Sequence, residues 1–160
     1  MKKANGTTMV ELLLYMGIFS MLLIIFLQIF SMTLDSQTES KSTSSIAQDS
    51  KFIISRLSYD LSLAQTINSP NLGSWGSTLQ FTKNSVTYTY TLTNGNLTLT
   101  DNIETDRLNS LNTTVSNTSF KRLGNSNGKN NIQAQFTLTS IALCTSSPRT
   151  ETFQATVGQR

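Results

Sequence analysis

The feature that most constrains this chain is an apolar run at residues 12–30, nineteen positions of which only three carry a glycine, serine or glutamine. A helix needs about 20 mostly apolar residues to cross the hydrocarbon core of a bilayer. The run therefore predicts one membrane-spanning helix within residues 7–34. Lys2 and Lys3 precede it, and positive charge marks the cytoplasmic side of such a helix. We expect a single-pass protein of the cytoplasmic membrane whose C-terminal part is extracytoplasmic.

The composition excludes several classes of function. The 160 residues have room for one modest domain besides the anchor, and a net charge of +3 is too small to indicate nucleic-acid binding. The absence of histidine excludes histidine-dependent catalysis and histidine-ligated metal sites. The one cysteine, Cys144, cannot form an internal disulfide and is expected to be a small buried residue. Because no phosphate-binding loop or catalytic carboxylate pair is found either, we expect no enzyme activity and no cofactor.

An acidic residue stands at the edge of the apolar run. Glu11 is followed directly by the run, and a carboxylate within a membrane costs roughly 2–3 kcal/mol unless it is paired. An ordinary secretory signal has a shorter apolar core, of about 7–15 residues, which ends at a small-residue cleavage site. Here the small residue, Gly6, comes before the apolar run and lies five residues ahead of Glu11. The pattern therefore differs from that of an ordinary cleaved signal.

The short basic segment ending in Gly6, the acid at Glu11 and the long apolar run behind it resemble the prepilin leader of type IV pilins and type II secretion pseudopilins. The resemblance implies that a prepilin peptidase removes residues 1–6 by cutting between Gly6 and Thr7, and that Thr7 is then N-methylated. It also implies that the new ammonium group pairs with Glu11 of a neighbouring subunit during assembly. The alternative is an uncleaved signal anchor in which the acid has no such role.

Two features depart from the pattern of that family. The processed chain would begin with Thr7, where the family usually has Phe or Met. The apolar run also lacks the proline that is common in major pilins, so we expect no proline kink in this helix.

Near a helix N-terminus the backbone dipole favours an acid such as Glu11.

After the apolar run, the sequence predicts an extracytoplasmic amphipathic helix over residues 35–67, with a weak middle rich in Ser and Thr. One stripe with helical spacing is expected to pack on a sheet, and it consists of Ile46, Ser50, Ile53, Leu57, Leu61 and Ala64. A second stripe either covers the core or faces partner subunits, and it consists of Phe52, Tyr59 and Leu63.

The rest of this helix is read as polar, and its end is marked by helix breakers. The polar positions are Asp49, Lys51, Arg56 and Asp60. Because Pro70 and Gly73 follow, the helix is expected to end near Asn68.

Residues 75–160 are predicted to form an antiparallel β domain. Alternation of apolar and polar residues indicates a three-stranded meander over residues 79–99, with turns at residues 83–85 and at Asn94-Gly95. Residues 101–117 are less regular, and shorter strands are expected at residues 119–123, 132–138 and 153–157. The predicted fold class is α+β and pilin-like, with a long N-terminal helix packed on an antiparallel sheet.

Within that family the chain is most similar to J-type minor pseudopilins and related competence pseudopilins. The segment Ser55-Arg56-Leu57-Ser58-Tyr59-Asp60-Leu61 resembles their Arg-Leu-x-x-Asp-Leu helix, and residues 86–88 with residues 94–97 resemble their tyrosine strand and hairpin. The resemblance implies a minor structural subunit that primes or caps a type IV pilus or a secretion pseudopilus. Its partners would be the prepilin peptidase, other pilins or pseudopilins and the inner-membrane assembly platform. A major pilin, a DNA-binding competence pseudopilin and an unassembled membrane-anchored adhesin or receptor remain alternatives.

Two groups of charged residues are candidate ligand sites. Oxygen atoms near Asp101, Glu104 and Asp106 could bind Ca²⁺, but their spacing does not fit a twelve-residue EF-hand loop, and a solvated loop is favoured. A basic group beside Phe120 could contact single-stranded nucleic acid, although a solvated strand edge is favoured for it. This group consists of Lys121, Arg122 and Lys129.

Overall fold

The computed structural model describes residues 8–124, 129–141 and 148–159. Its first element is the helix α1, Met9–Ser62. The chain divides into two compact units after Glu39, and α1 contributes to both. In the N-terminal unit, the helical residues from Met9 onward are exposed, except for a partly buried Thr38.

Among its described residues, the C-terminal unit consists of the rest of α1 and nine strands in two antiparallel sheets. The five-stranded sheet has the order β1-β3-β4-β5-β6, and the four-stranded sheet has the order β2-β7-β8-β9. The α+β class expected from the sequence is therefore confirmed, whereas the division of the strands into two sheets was not predicted. The strands are β1 Thr66–Ser69, β2 Trp75–Gly76, β3 Leu79–Lys83, β4 Val86–Thr93, β5 Asn96–Thr100, β6 Thr105–Arg107, β7 Thr113–Leu123, β8 Asn131–Ser140 and β9 Thr150–Gly158.

The predicted meander corresponds to β3, β4 and β5, which pair consecutively. Its two tight turns have the left-handed backbone that two-residue hairpins require. Asn84 and Ser85 have φ of 50° and 65°, and Asn94 and Gly95 have φ of 50° and 74°. Asparagine and glycine tolerate this conformation better than other residues do, which explains why Asn94-Gly95 was a reliable sequence signal.

One stripe of α1 packs into a core that includes residues of both sheets. The predicted stripe is confirmed, since Ile46, Ile53, Leu57 and Leu61 are each at most 1% exposed. The second stripe does not cover the core. Its three members, Phe52, Tyr59 and Leu63, are 52%, 58% and 45% exposed.

Two carboxylates that the sequence assigned to the polar side of α1 are in fact buried. Asp60 is 1% exposed and accepts a hydrogen bond of 2.7 Å from the hydroxyl of Tyr90 in β4. It also accepts one of 3.0 Å from Nε of Arg56, and Nζ of Lys83 lies 3.8 Å from its second oxygen. The buried charge is therefore compensated by two cations and a hydroxyl donor, as burial of a carboxylate requires.

Asp49 makes a second buried connection from α1 to the sheets. It is 8% exposed and accepts hydrogen bonds from the backbone N–H and the hydroxyl of Ser110, at 2.9 and 2.8 Å. The hydroxyl of Thr113, at the start of β7, donates to the same oxygen. Asp49 thereby fixes α1 to the segment that leads into β7.

The observed elements differ from the predicted ones mainly in two segments, which were expected to be helix or irregular and instead form strands. The helix ends at Ser62 rather than near Asn68, because residues 66–69 form β1 and pair with β3. The β-branched residues Thr66 and Ile67 suit a strand better than a helix. β7 spans eleven residues, Thr113–Leu123, and includes part of the segment that the sequence described as irregular.

The buried Asp60–Tyr90 contact predicts a measurable loss of stability. Tyr90→Phe removes the hydroxyl but keeps the ring, which leaves a buried carboxylate with one donor fewer. We expect the free energy of unfolding to fall by about 1–3 kcal/mol, measured by urea denaturation of the protein in detergent. Tyr88→Phe, at a partly buried position of the same strand, is the matched control. Equal stabilities for the two variants would contradict this role of the hydroxyl.

The same contact predicts a pH dependence. Burial, and then the negative charge of Asp60, raise the pKa of Tyr90 far above its ordinary value of 10.0. Unfolded Tyr90 thus loses its proton at a pH at which folded Tyr90 keeps it, so the stability falls as the pH rises above 10.0. We expect this alkaline loss to be smaller in Tyr90→Phe, and an identical loss in the two proteins would refute the assignment.

Candidate functional site at the start of helix α1

The helix N-terminus that carries Glu11 is capped by a side chain. α1 begins at Met9, and the backbone N–H of Glu11 donates to Oγ1 of Thr8 at 3.4 Å. Thr8 and Glu11 have the spacing of a capping box, in which a threonine precedes the helix and an acid lies three residues later. This signal was readable from the sequence, since Thr8 lies three residues before Glu11. Gly6 and Thr7, the predicted processing residues, lie outside the described residues.

Glu11 has a partner one helical turn along the chain. The hydroxyl of Tyr15 donates to Oε1 of Glu11 at 3.1 Å, and both side chains are exposed. Residues four apart on a helix lie on the same face, so this pair was also readable from the sequence. A carboxylate has about four acceptor positions, so the Tyr15 hydroxyl leaves room on Glu11 for a cationic group.

The apolar segment behind Glu11 is long enough and apolar enough to cross a membrane, and none of its most apolar stretch is buried. Two hydroxyl groups in and just after it bond to carbonyl groups of the helix itself. Ser20 donates to the carbonyl of Gly17 at 2.8 Å, and Thr33 donates to the carbonyl of Ile29 at 2.9 Å. A hydroxyl that is satisfied within the helix is less costly in lipid than an unpaired one. This segment therefore suits a single membrane span.

The structure divides the predicted basic group, because Arg122 and Lys129 line one groove and Lys121 does not. Successive residues of a strand point to opposite faces, so Lys121 and Arg122 of β7 face opposite ways. Arg122 donates to the carbonyl of Ile67 at 2.8 Å and to Oδ1 of Asn130 at 3.1 Å. Phe120 is only 2% exposed and is not available for stacking on a base. Lys129 is exposed.

Lys121 instead lies beside an exposed aromatic residue that is distant from it in sequence. Trp75 of β2 pairs with Lys121 of β7, and Nζ of Lys121 lies 5.4 Å from the centre of the indole ring. Trp75 is 51% exposed. No local sequence pattern links two residues so far apart, because their contact arises from the pairing of β2 with β7.

The acidic loop is held together by its own hydrogen bonds. Oδ1 of Asp101 accepts the backbone N–H groups of Ile103 and Glu104, each at 2.8 Å, and these bonds hold the pKa of Asp101 below its ordinary value. Within the part of the chain that the structure describes, no group of three or more acidic, histidine or cysteine residues is arranged to hold a metal ion. Cys144 lies outside the described residues.

Comparisons with known proteins do not extend these findings: a scan of protein-family models, a search of curated proteins and a search of solved structures each gave no match. The fold itself, a long apolar N-terminal helix with antiparallel sheets, is compatible with a pilin-like architecture.

The membrane span can be tested by cysteine labelling in a Cys144→Ser background. We expect Leu22→Cys to resist a membrane-impermeant maleimide in membrane fragments that are open on both sides, because lipid surrounds this position. Ser55→Cys, at an exposed position of the same helix, serves as the control and is expected to react. Equal labelling rates at the two positions would show that the segment does not cross the membrane.

Proposed function

We propose that this protein is a minor pilin or pseudopilin, made as a prepilin and assembled into a pilus or a secretion-type pseudopilus. In this role it is a structural subunit that primes or caps the filament. It is a substrate of the prepilin peptidase rather than an enzyme. Before assembly it resides in the inner membrane with its N-terminus in the cytoplasm.

The observation that carries this proposal is the position of Glu11. It lies five residues after Gly6, in the first turn of a helix that enters an apolar segment. Removal of residues 1–6 would create an ammonium group on Thr7. Charge pairing is worth more in a low-dielectric surrounding than in water, so Glu11 of a neighbouring subunit is a suitable partner for that group. One such contact would fix the register between adjacent helices.

The local geometry supports the same role. The Thr8 hydroxyl caps the helix at the N–H of Glu11, and the positive end of the helix dipole favours a nearby carboxylate. The Tyr15 hydroxyl gives Glu11 a hydrogen-bond partner within its own helix. We infer that this bond lowers the cost of holding the carboxylate in the membrane before a neighbouring subunit arrives.

The later part of α1 supports contacts between subunits. Its inner stripe is fixed in the core, while Phe52 and Tyr59 are exposed on the helix surface and Leu63 is exposed directly after the helix ends. Aromatic residues are enriched at protein interfaces, so this stripe suits packing against other pilins or pseudopilins. The inner-membrane assembly platform is the further expected partner.

The role of Glu11 is tested by comparing two carboxylate deletions in the same helix. We expect Glu11→Ala to insert in the membrane and to lose its leader normally, but to be missing from filaments sheared from the cell. Asp35→Ala removes an exposed carboxylate beyond the apolar run and is expected to be incorporated like the unaltered protein. Immunoblotting of the filament and membrane fractions measures the share of each variant that has been incorporated into filaments. Normal incorporation of Glu11→Ala would contradict the pairing role.

The contact between Trp75 and Lys121 favours a second candidate function, binding of single-stranded DNA by a competence pseudopilin. Such sites combine a cation for the phosphate backbone with an aromatic ring on which a base stacks. Lys121 provides the cation and Trp75 provides the ring, and the two residues are directly paired between β2 and β7. Arg122, which is bonded to the protein itself, has no part in this candidate site.

This second function is tested with the full chain in detergent and a labelled oligothymidine, measured by fluorescence anisotropy at several salt concentrations. If it is correct, Lys121→Ala weakens binding and lowers the salt slope by about 1. Lys51→Ala removes an exposed lysine of α1 and should change neither quantity. Binding without salt dependence, or equal effects of the two variants, would exclude a Lys121 site.

A further inference from the structure

The free edges of the two sheets differ in how well they resist pairing with another strand. β1 has four residues and a register shift, β2 has two residues, and β6 has three, of which two are charged. Short, bulged or charged edge strands hinder edge-to-edge pairing. β9, Thr150–Gly158, is different: its nine residues contain no proline and no lysine, and it pairs with β8 without any register shift.

The backbone groups that β9 leaves open can be identified from its pairing with β8. Ser140 donates its N–H to the carbonyl of Arg149, and Gln159 donates its N–H to the carbonyl of Asn130. Backbone groups along a strand point alternately to one side and the other. The odd-numbered residues of β9 therefore bond to β8, and the even-numbered residues present their N–H and C=O groups to the open edge. Among the described residues, β9 pairs with no strand on that side.

We propose that the open edge of β9 binds β9 of a second copy of this chain, antiparallel and centred on Gln154. This pairing would join two four-stranded sheets into one continuous sheet. Gln154 would lie opposite its own counterpart and exchange backbone hydrogen bonds with it. Thr152 would lie opposite Thr156, and Thr150 opposite Gly158. The proposal concerns the C-terminal unit and does not rest on the proposed function.

The sequence of β9 is complementary to itself in this register. Phe153 would face Ala155 in both halves of the pair, so a large side chain meets a small one. Phe153 is partly buried and stacks on Phe136, with 5.7 Å between the ring centres, and Ala155 of the second copy would cover part of its remaining surface. Glu151 would face Val157, so the carboxylates of the two copies would not meet. Like charges directly opposite each other would have opposed the pairing.

The edge of β9 borders a groove at its C-terminal end. A groove beside the end of β9 is lined by α1 residues Ser58, Tyr59 and Ser62 and by residues 156–159. In the proposed register the start of the second copy's β9 reaches this groove. The register is specified because a slip by one residue would exchange the inner and outer faces of the added strand.

Disulfide trapping tests the pairing and its register with the full chain in detergent, in a Cys144→Ser background. Directly paired residues with mutual hydrogen bonds have Cα atoms about 5.5 Å apart, within the range of a disulfide. We expect Gln154→Cys to form disulfide-linked dimers under mild oxidation. Thr152→Cys and Thr156→Cys are expected to cross-link when mixed but not singly, since each lies about 13 Å along the strand from its own counterpart.

Thr98→Cys, on β5 of the other sheet, measures cross-linking by random collision. If Gln154→Cys and the Thr152→Cys and Thr156→Cys mixture give no more dimer than this control, the proposal is overturned.

A substitution at the centre of the edge gives a second test. Gln154→Pro removes an N–H that points away from β8, and proline is tolerated at such edge positions. We expect this variant to keep its unfolding midpoint and to lose the dimer in native mass spectrometry from detergent, whereas Gln154→Ala keeps the dimer because it retains the N–H. A folded Gln154→Pro variant that still forms the dimer would refute the proposal. Loss of the dimer in both variants would refute the backbone pairing as its cause.

Discussion

Helix α1 has to meet two different kinds of surroundings along its length. Residues 12–30 are apolar on all sides, whereas from Ile46 onward only one stripe of α1 is buried. Without an apolar surrounding for its first part, α1 would expose a large hydrophobic surface to water, which soluble proteins avoid. Without the sheets, its second part would have no core to join.

Two buried carboxylates hold the second part of α1 in place. Asp60 joins it to β4 through Tyr90, and Asp49 joins it to Ser110 and Thr113. Hydrophobic burial alone would allow a helix to rotate or slide by small amounts, because apolar contacts have little directional preference. A buried charge is costly when it loses its partners, so these bonds restrict the helix to one register on the sheets. They also determine which side of α1 keeps Phe52 and Tyr59 exposed.

The sequence predicted those parts of the fold that depend on local patterns. The apolar run, the stripe from Ile46 to Leu61 and the hairpin at Asn94-Gly95 each follow from spacing or from the conformational freedom of single residues. The burial of Asp49 and Asp60 could not be predicted, because Tyr90 and Ser110, the sheet-side residues to which they bond, lie 30 and 61 positions away in sequence. The same is true of the division into two sheets, which depends on non-local strand pairing.

In the candidate sites, too, local contacts could be predicted from the sequence and contacts between distant residues could not. Glu11 was found from the sequence, and its cap and its bond to Tyr15 were readable there too, since all three residues lie within two turns of one helix. The basic group around Lys121 was read as a cluster because its members are close in sequence. Alternation along β7 separates Lys121 from Arg122, and the pairing of β2 with β7 brings Trp75 to Lys121 instead. Proximity in sequence is a good guide on a helix but a poor one on a strand.

We have proposed that this chain is processed as a prepilin, and the most direct test is intact-mass and N-terminal peptide analysis of the protein purified from its native membranes. We expect a polypeptide that begins at Thr7 with one methyl group on its amino nitrogen. A protein that retains residues 1–6, in cells whose prepilin peptidase processes its other substrates, would show that the chain is not a prepilin.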